Sequence, residues 1–167
     1  MTARLPRSLR LASPAAAVVA AVMGVPVSAA TVDPPASAAA AGRGYYTLHC
    51  AGCHQTDGTG SAAHEIPNMK GTVGHFLRLP EGRAFLVQVP GTANSPLSDA
   101  QVAVLLNWML PQFSQAELPP GFVPYTAGEV TRLRNDRLDD VAGTRAALVT
   151  RLAGMGYLVE PTKEQRK

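Results

Sequence analysis

The residues Cys50-Ala51-Gly52-Cys53-His54 decide the interpretation of this chain. Two thiols three positions apart lie on the same side of a helical turn. Each of them can add to a vinyl group of one porphyrin, which fixes the ring to the backbone. The next residue, His54, can then offer an imidazole nitrogen to the porphyrin iron. Cys-x-x-Cys-His is the attachment signature of a c-type haem, so the sequence predicts one covalent haem with iron.

Three other interpretations of the same residues compete with this one: a thioredoxin-like redox pair, a disulfide, and half of a zinc site. A redox pair is expected in a βαβ context, which the surrounding sequence lacks. A zinc site needs a second ligand pair, and these are the only 2 cysteines in 167 residues.

Residues 1–30 have the three parts of a secretory signal. Arginines at positions 4, 7 and 10 precede an apolar stretch over residues 11–27, and Ser28-Ala29-Ala30 offers small residues for cleavage. We expect cleavage near Ala30 and a periplasmic location. The alternative, an uncleaved membrane anchor, is disfavoured because Pro14, Gly24 and Pro26 interrupt a stretch that would need about 20 apolar residues to span a bilayer.

The net charge gives no support for a nucleic-acid or anionic-membrane partner. The chain has 15 basic and 12 acidic residues, and three of the basic ones lie in the predicted signal. The remainder is therefore close to neutral. Aromatic residues are only 5% of the chain, and the apolar face of a covalent haem would add to a small core.

Local signals predict several helices around the motif. Residues 31–40, rich in Pro and Ala, predict a flexible leader, and Gly42 to His49 predict a helix that runs into the motif. Pro80 predicts the start of an apolar helix that Pro90-Gly91 stops. Residues 97–110 predict the best-defined helix, because Ser98 and Gln101 form a capping box. Its apolar stripe is Val102, Leu105, Leu106 and Met109, and Pro111 is expected to end it.

The stretch from Gly42 to about Leu110 resembles a class I cytochrome c domain, which sets the predicted domain at residues 41–114. Four elements carry the resemblance: Gly42 and Tyr46 before the haem motif, Cys50-Ala51-Gly52-Cys53-His54, Pro67-Asn68-Met69-Lys70-Gly71, and the closing Leu97-Ser98-Asp99…Leu106-Asn107-Trp108. The resemblance implies an all-α helical bundle around the haem.

The same resemblance implies roles for individual residues. Its first and last helices cross, which would place Gly42 and Tyr46 against Trp108. Tyr46 and Trp108 are accordingly expected in the haem-binding core. His54 would be the proximal iron ligand, and the Pro67 carbonyl would accept a hydrogen bond from its Nδ1.

The chain departs from this family in the loop before the last helix, where the family supplies a distal Met. Residues 89–97 contain no Met. Met69 and Met109 are the candidates for a distal ligand, although packing explains each of them equally simply. His64 and His75 are weaker candidates, and nothing supports Met155. An open distal position, which favours binding of small ligands, is the fourth possibility.

Residues 115–167 predict a C-terminal helical hairpin and a charged tail. Thr126 and Glu129 form a second capping box signal, with a helix expected to about Leu138. Asp139 or Asp140 can cap a further helix to about Leu152. We expect the hairpin to pack on the cytochrome body near the loop that lacks its Met. Its arginines, Arg132, Arg134 and Arg137, are expected to form a solvated face, or alternatively a docking patch for an acidic partner.

The function that this resemblance implies is that of an exported electron carrier, more an electron-transfer protein than an enzyme. Its partners would be periplasmic redox proteins, such as a dehydrogenase or an oxidase, with no nucleic acid and no stable membrane anchor. The alternative is a haem protein with an open distal site that binds small ligands or acts as a peroxidase-type enzyme.

Overall fold

The structure is a computed structural model that describes residues 36–159, and all of its regular elements are helices. The strand-like feature in this range is an isolated bridge between Ser61 and Ile66. The predicted all-α class is therefore confirmed. The predicted signal (residues 1–30), the start of the leader (31–35) and the charged end of the tail (160–167) lie outside the described residues.

Within the described range, seven α-helices follow one another. They are α1 (Ala36–His49), α2 (Ala51–His54), α3 (Pro80–Gln88), α4 (Pro90–Ala93), α5 (Asp99–Ser114), α6 (Ala127–Arg134) and α7 (Val141–Gly154). Short 3-10 helices cover Ala62–His64, Val73–Arg78 and Gln115–Glu117. All of these elements belong to one compact unit.

Helix α1 begins at Ala36, earlier than the predicted start at Gly42. The prediction that residues 31–40 form a flexible leader is therefore wrong for residues 36–40. Five of the six residues from Ala36 to Ala41 are alanine. Alanine has the highest intrinsic helix propensity, so the segment extends the helix on the N-terminal side.

The fold is built on a close crossing of α1 and α5. A Cβ atom on Gly42 would overlap the Cβ atom of Trp108, so only glycine allows this approach. One turn later, the buried ring of Tyr46 lies 5.5 Å from the Trp108 ring and 4.9 Å from the Phe113 ring, between centroids. The predicted packing of Gly42 and Tyr46 against Trp108 is confirmed.

Helix α5 starts as the sequence predicts. The Gln101 amide donates to Ser98 Oγ at 3.3 Å, and the Ser98 amide donates to Gln101 Oε1 at 2.8 Å. This reciprocal pair is a complete capping box. All four residues of the predicted apolar stripe are buried, namely Val102, Leu105, Leu106 and Met109.

Pro111 does not end α5, and that prediction is wrong, because the helix continues to Ser114. A proline inside a helix removes one backbone hydrogen bond. Tertiary contacts of the following turn compensate for this loss. Phe113 is buried against Tyr46, and Ser114 Oγ accepts a hydrogen bond from the Gly74 amide at 2.9 Å.

The chain between α3 and α5 is more regular than predicted. Pro80 opens α3 as expected, and α3 ends at Gln88, just before Pro90. Pro90 then occupies the first turn of the short helix α4, where a proline is favourable because no amide donor is required. The predicted loop over Thr92–Pro96 is correct only from Asn94 onward.

The C-terminal extension packs on the cytochrome-like body through Tyr125. The Tyr125 amide donates to Asn107 Oδ1 at 2.7 Å, and Asn107 Nδ2 donates to the Tyr125 carbonyl at 2.9 Å. The buried Tyr125 hydroxyl donates to the Arg83 carbonyl at 2.8 Å. One residue of the extension is thereby bonded to both α5 and α3.

Arg83 adds a second connection to the extension. Its Nε and Nη2 donate to the two carboxylate oxygens of Glu129 at 2.6 and 2.7 Å, and its guanidinium lies 3.8 Å from the Tyr125 ring centroid. The Glu129 amide still donates to Thr126 Oγ1 at 3.2 Å, so Thr126 caps α6. The predicted capping box is thus half formed, because the Glu129 carboxylate binds Arg83.

Helix α6 ends at Arg134, earlier than the predicted end near Leu138. The prediction that Arg134 belongs to a solvated face is also wrong. Its guanidinium turns inward and donates to the carbonyls of Ala93, Ser95 and Leu97. These contacts place α6 against the loop that lacks a Met, as expected for the extension. Arg132 and Arg137 are exposed, as predicted.

Helix α7 and the residues after it cover α3 and the 73–78 helix. Asp140 caps α7, because the Gly143 amide donates to its Oδ1 at 2.8 Å. Leu148 and Leu152 are buried on the side that faces the body. Beyond α7, the Tyr157 ring lies 4.1 Å from the Arg78 guanidinium.

The α1–α5 crossing can be tested by substituting Gly42 with Ala. Gly42→Ala is expected to lower the free energy of unfolding by about 1–3 kcal/mol, because the new methyl group overlaps Trp108. Gly44→Ala is the matched control, since nothing lies within 4 Å of a Cβ atom at this position of the same helix. Urea unfolding followed by circular dichroism measures both variants. A Gly42→Ala protein as stable as Gly44→Ala would contradict the close crossing.

The Arg83–Glu129 pair predicts a pH-dependent contribution to stability. The hydrogen bonds from Arg83 hold the pKa of Glu129 below its ordinary value of 4.5. This stabilisation is present above that ordinary value and is lost as the pH falls through the lower folded-state pKa. Glu129→Gln should therefore cost about 1 kcal/mol at neutral pH and make the decline of stability in acid shallower.

The control for Glu129→Gln is Asp139→Asn, which changes an exposed carboxylate without an ion pair among the described residues. Urea unfolding at a series of pH values measures both. Parallel stability profiles for Glu129→Gln and the unsubstituted protein would rule out the Arg83–Glu129 contribution.

Candidate haem site

The haem motif forms a single turn directly after α1. Cys50 precedes α2, and the His54 amide donates to the Cys50 carbonyl at 2.9 Å. This turn keeps Cys50, Cys53 and His54 close together. Cys50 is half-buried, Cys53 is exposed, and both thiols are free.

The alternative interpretations of the motif find no support in the described residues. The two cysteines are not joined in a disulfide. Between residues 36 and 159 no group of three or more His, Cys, Asp or Glu side chains could hold a metal ion. The described range also has no β-strand on which a thioredoxin-like βαβ unit could be built. Burial, followed by the nearby Cys53, raises the pKa of the Cys50 thiol.

His54 lies half-buried below this turn, and its electrostatics suit a metal ligand. Burial lowers the pKa of the imidazole, which favours the neutral form needed for coordination. The Pro67 backbone acts in the opposite direction and raises that pKa. Nδ1 of His54 is nevertheless shielded from solvent without a completed hydrogen bond. The role of the Pro67 carbonyl as its acceptor therefore stays a prediction.

The loop after His54 folds back and brings Pro67 to the imidazole. The Gly60 amide donates to the His54 carbonyl at 3.0 Å, and Ser61 pairs with Ile66. Gly60 has a φ of +66°, and a Cβ atom there would lie 2.5 Å from the Pro67 carbonyl oxygen. Only glycine allows this approach, which sequence reasoning did not identify.

Tyr46 connects the α1–α5 crossing to the motif. Its hydroxyl donates to the carbonyl of Gln55, the residue after His54, at 2.6 Å. Burial raises the pKa of Tyr46 to about 12, so the hydroxyl stays protonated and remains a donor. Tyr46 thus fixes the backbone on the far side of His54. The packing of Tyr46 was predicted, but this hydrogen bond was not.

Phe113 is a residue of the site region that the sequence interpretation missed. Its ring packs on Tyr46, and its carbonyl accepts a hydrogen bond from the Gly71 amide at 2.8 Å. Phe113 follows Met109 by four positions and so continues the apolar stripe of α5. The signal was present, but Pro111 was expected to end the helix before it.

The comparisons with known proteins agree with this geometry. The cytochrome c family profile matches residues 39–83. A cytochrome c-552 of Thermus thermophilus is 31% identical over 107 residues, which cover 53% of this chain and 81% of that protein. This chain belongs to the cytochrome c family.

A second relative, a cytochrome c-552 from a named strain of Thermus thermophilus, is also 31% identical over 107 residues, which cover 53% of this chain and 72% of that protein. No solved structure matches the chain significantly. The family assignment and the helical fold together identify the chain as a class I c-type cytochrome with a C-terminal extension.

Membership of this family implies a covalent haem c with iron, and the residues of this cytochrome fit that group. Two free thiols and an imidazole lie on adjacent turns, which is the donor set for two thioether bonds and one iron ligand. The buried Nδ1 of His54 needs an acceptor to orient the ring, and the Pro67 backbone lies beside it. A hydrogen bond on one ring nitrogen directs the other toward a metal.

The structure places the candidate distal residues without choosing between them. Met109 is buried in the core of α5, and Met69 is half-buried, with its amide donating to the Gly58 carbonyl at 2.8 Å. His64 is exposed. His75 lies 5.1 Å from the Tyr157 ring, between centroids, and Met155 is largely exposed. The distal ligand therefore stays a prediction.

Covalent attachment can be tested with cysteine variants produced with a haem-attachment system. Cys50→Ala and Cys53→Ala should each retain one thioether bond, and the double variant should retain none. Haem staining after denaturing electrophoresis, together with intact mass, measures the covalent haem. Haem retained by the double variant, or a Cys50–Cys53 disulfide in the unsubstituted protein, would refute the assignment.

Proposed function

We propose that this cytochrome carries one haem c, attached through Cys50 and Cys53 and ligated by His54, and that it passes single electrons between exported redox proteins. The observation that carries the proposal is the ordered turn Cys50–His54 beside Pro67 in a chain of the cytochrome c family. The haem would supply an iron that cycles between two oxidation states.

The residues of the chain have distinct tasks in this proposal. Cys50 and Cys53 hold the group irreversibly, which suits a carrier outside the cytoplasm. His54 is kept neutral by burial and oriented by Pro67, so that it can bind iron from one side. Tyr46 and Trp108 hold α1 against α5 beside the motif and exclude water from this side of the core.

The proposed location is the periplasm, and the proposed partners are redox proteins such as a dehydrogenase or an oxidase. The signal-like pattern of residues 1–30 supports export. Between residues 36 and 159, no helix has the length and apolar character needed to cross a bilayer. A carrier needs only transient contact with each partner, for which weak and small interfaces suffice.

A second candidate function follows from one feature of the sequence. Residues 89–97 contain no Met, so the sixth position of the iron lacks the ligand expected from this segment. An open position would favour binding of small ligands or a peroxidase-type reaction. The first candidate requires a ligand from elsewhere in the chain, for which Met69 and Met109 are available.

An absorption spectrum with and without carbon monoxide separates the two functions. A Met-ligated carrier is expected to show a sulfur–iron band at the red end of its oxidised spectrum and to resist carbon monoxide when reduced. Rapid carbon monoxide binding by the unsubstituted protein, without the sulfur–iron band, would contradict the simple carrier and support the open site.

Three matched variants then identify the ligand. Met69→Leu and Met109→Leu keep the apolar volume and remove the sulfur. Met155→Leu is the control, since Met155 is 51% exposed. Loss of the sulfur–iron band in one core variant only would assign that Met. Retention of the band in both would exclude both residues.

A further inference from the structure

The segment between α4 and α5 is held by a single side chain from the C-terminal extension. Arg134 Nη1 donates to the Leu97 carbonyl at 2.8 Å, and Nη2 donates to the carbonyls of Ser95 at 2.8 Å and Ala93 at 3.0 Å. Nε also reaches the Ala93 carbonyl, at 3.2 Å. Three carbonyls of one irregular segment therefore converge on one guanidinium.

The remaining donor of Arg134 binds the first residue of α5. Nη1 donates to Asp99 Oδ1 at 2.8 Å, so that every N–H group of the guanidinium has an acceptor. The Arg134 side chain is only 16% exposed. A surface ion pair would leave most of these donors to water, so this contact differs from the solvated arginines of the same region.

Helix α6 holds Arg134 in position from behind. Val130 is fully buried, and Glu129 is bound to Arg83 of α3. Thr131 Oγ1 donates to the second carboxylate oxygen of Asp99 at 2.7 Å. Both oxygens of Asp99 are thus bonded to α6, which fixes the start of α5 and the segment before it to the extension.

We propose that Arg134 is a positioning residue that clamps segment 89–97, and that the extension thereby controls the access of small external ligands to the haem iron. The inference rests on the proposed haem site. The segment contains no Met, His or Cys that could tie it to iron, so its position depends on hydrogen bonds to its own backbone. Arg134 supplies these bonds, and the segment stays closed while they last.

The planar fork of arginine is required for this clamp. A lysine has three donors on one nitrogen and cannot reach carbonyls on three residues together with Asp99. Arg134→Lys should therefore restore only part of the effect, whereas Arg134→Met should remove it. Arg132→Met is the matched control, because Arg132 is exposed on the same helix and donates to the Gly128 carbonyl of its own helix.

The test uses the full-length haem-loaded protein and two measurements. Hydrogen exchange reports opening of residues 93–97, and stopped-flow mixing of the reduced protein with carbon monoxide reports access to the iron. In Arg134→Met, exchange in the segment and carbon monoxide association should both rise by about tenfold, the factor that follows from losing a charge-assisted hydrogen bond. Exchange in α1 should not change. Arg134→Lys should lie between the two, and Arg132→Met should match the unsubstituted protein.

The outcomes are distinguishable from failure of the proposed function. If the unsubstituted protein carries no covalent haem, the proposed function fails. If it carries haem but Arg134→Met and Arg132→Met exchange and bind carbon monoxide alike, the clamp is refuted and the proposed function stands. Faster exchange in the segment with unchanged carbon monoxide association would also overturn the proposed control of access.

Discussion

The contact between Gly42 and Trp108 sets the geometry on which the rest of the structure depends. Because Gly42 has no Cβ atom, α1 and α5 approach closely enough for Tyr46 to pack between Trp108 and Phe113. The Tyr46 hydroxyl then reaches the Gln55 carbonyl and holds the turn that contains His54. A side chain at position 42 would separate the helices and remove this link between the core and the motif.

The candidate haem site depends on backbone conformation as much as on its ligands. His54 would be a poor ligand if its imidazole were free to rotate in solvent. The tight turn at Gly60 brings the Pro67 backbone to the ring, and burial keeps the imidazole neutral. The chain therefore prepares one face of an iron site with local hydrogen bonds, and it leaves the opposite face to residues that are distant in sequence.

The C-terminal extension is part of the same compact unit as the cytochrome-like body. Tyr125, Arg83 and Arg134 each bond backbone groups across more than thirty residues of sequence. Such contacts satisfy polar groups of irregular segments that would otherwise depend on water. The extension compensates in this way for a segment, residues 89–97, that has no ligand of its own to fix it.

The sequence by itself determined the features that local interactions control. The Cys50–His54 turn, the Ser98–Gln101 capping box and the apolar stripe of α5 depend on residues within two helical turns, so spacing alone predicts them. The tertiary structure decided the continuation of α5 through Pro111, the pairing of the Glu129 carboxylate with Arg83, and the inward turn of Arg134. In each case a contact with a distant part of the chain outweighs the local preference, and local sequence patterns contain no information about which distant groups will meet.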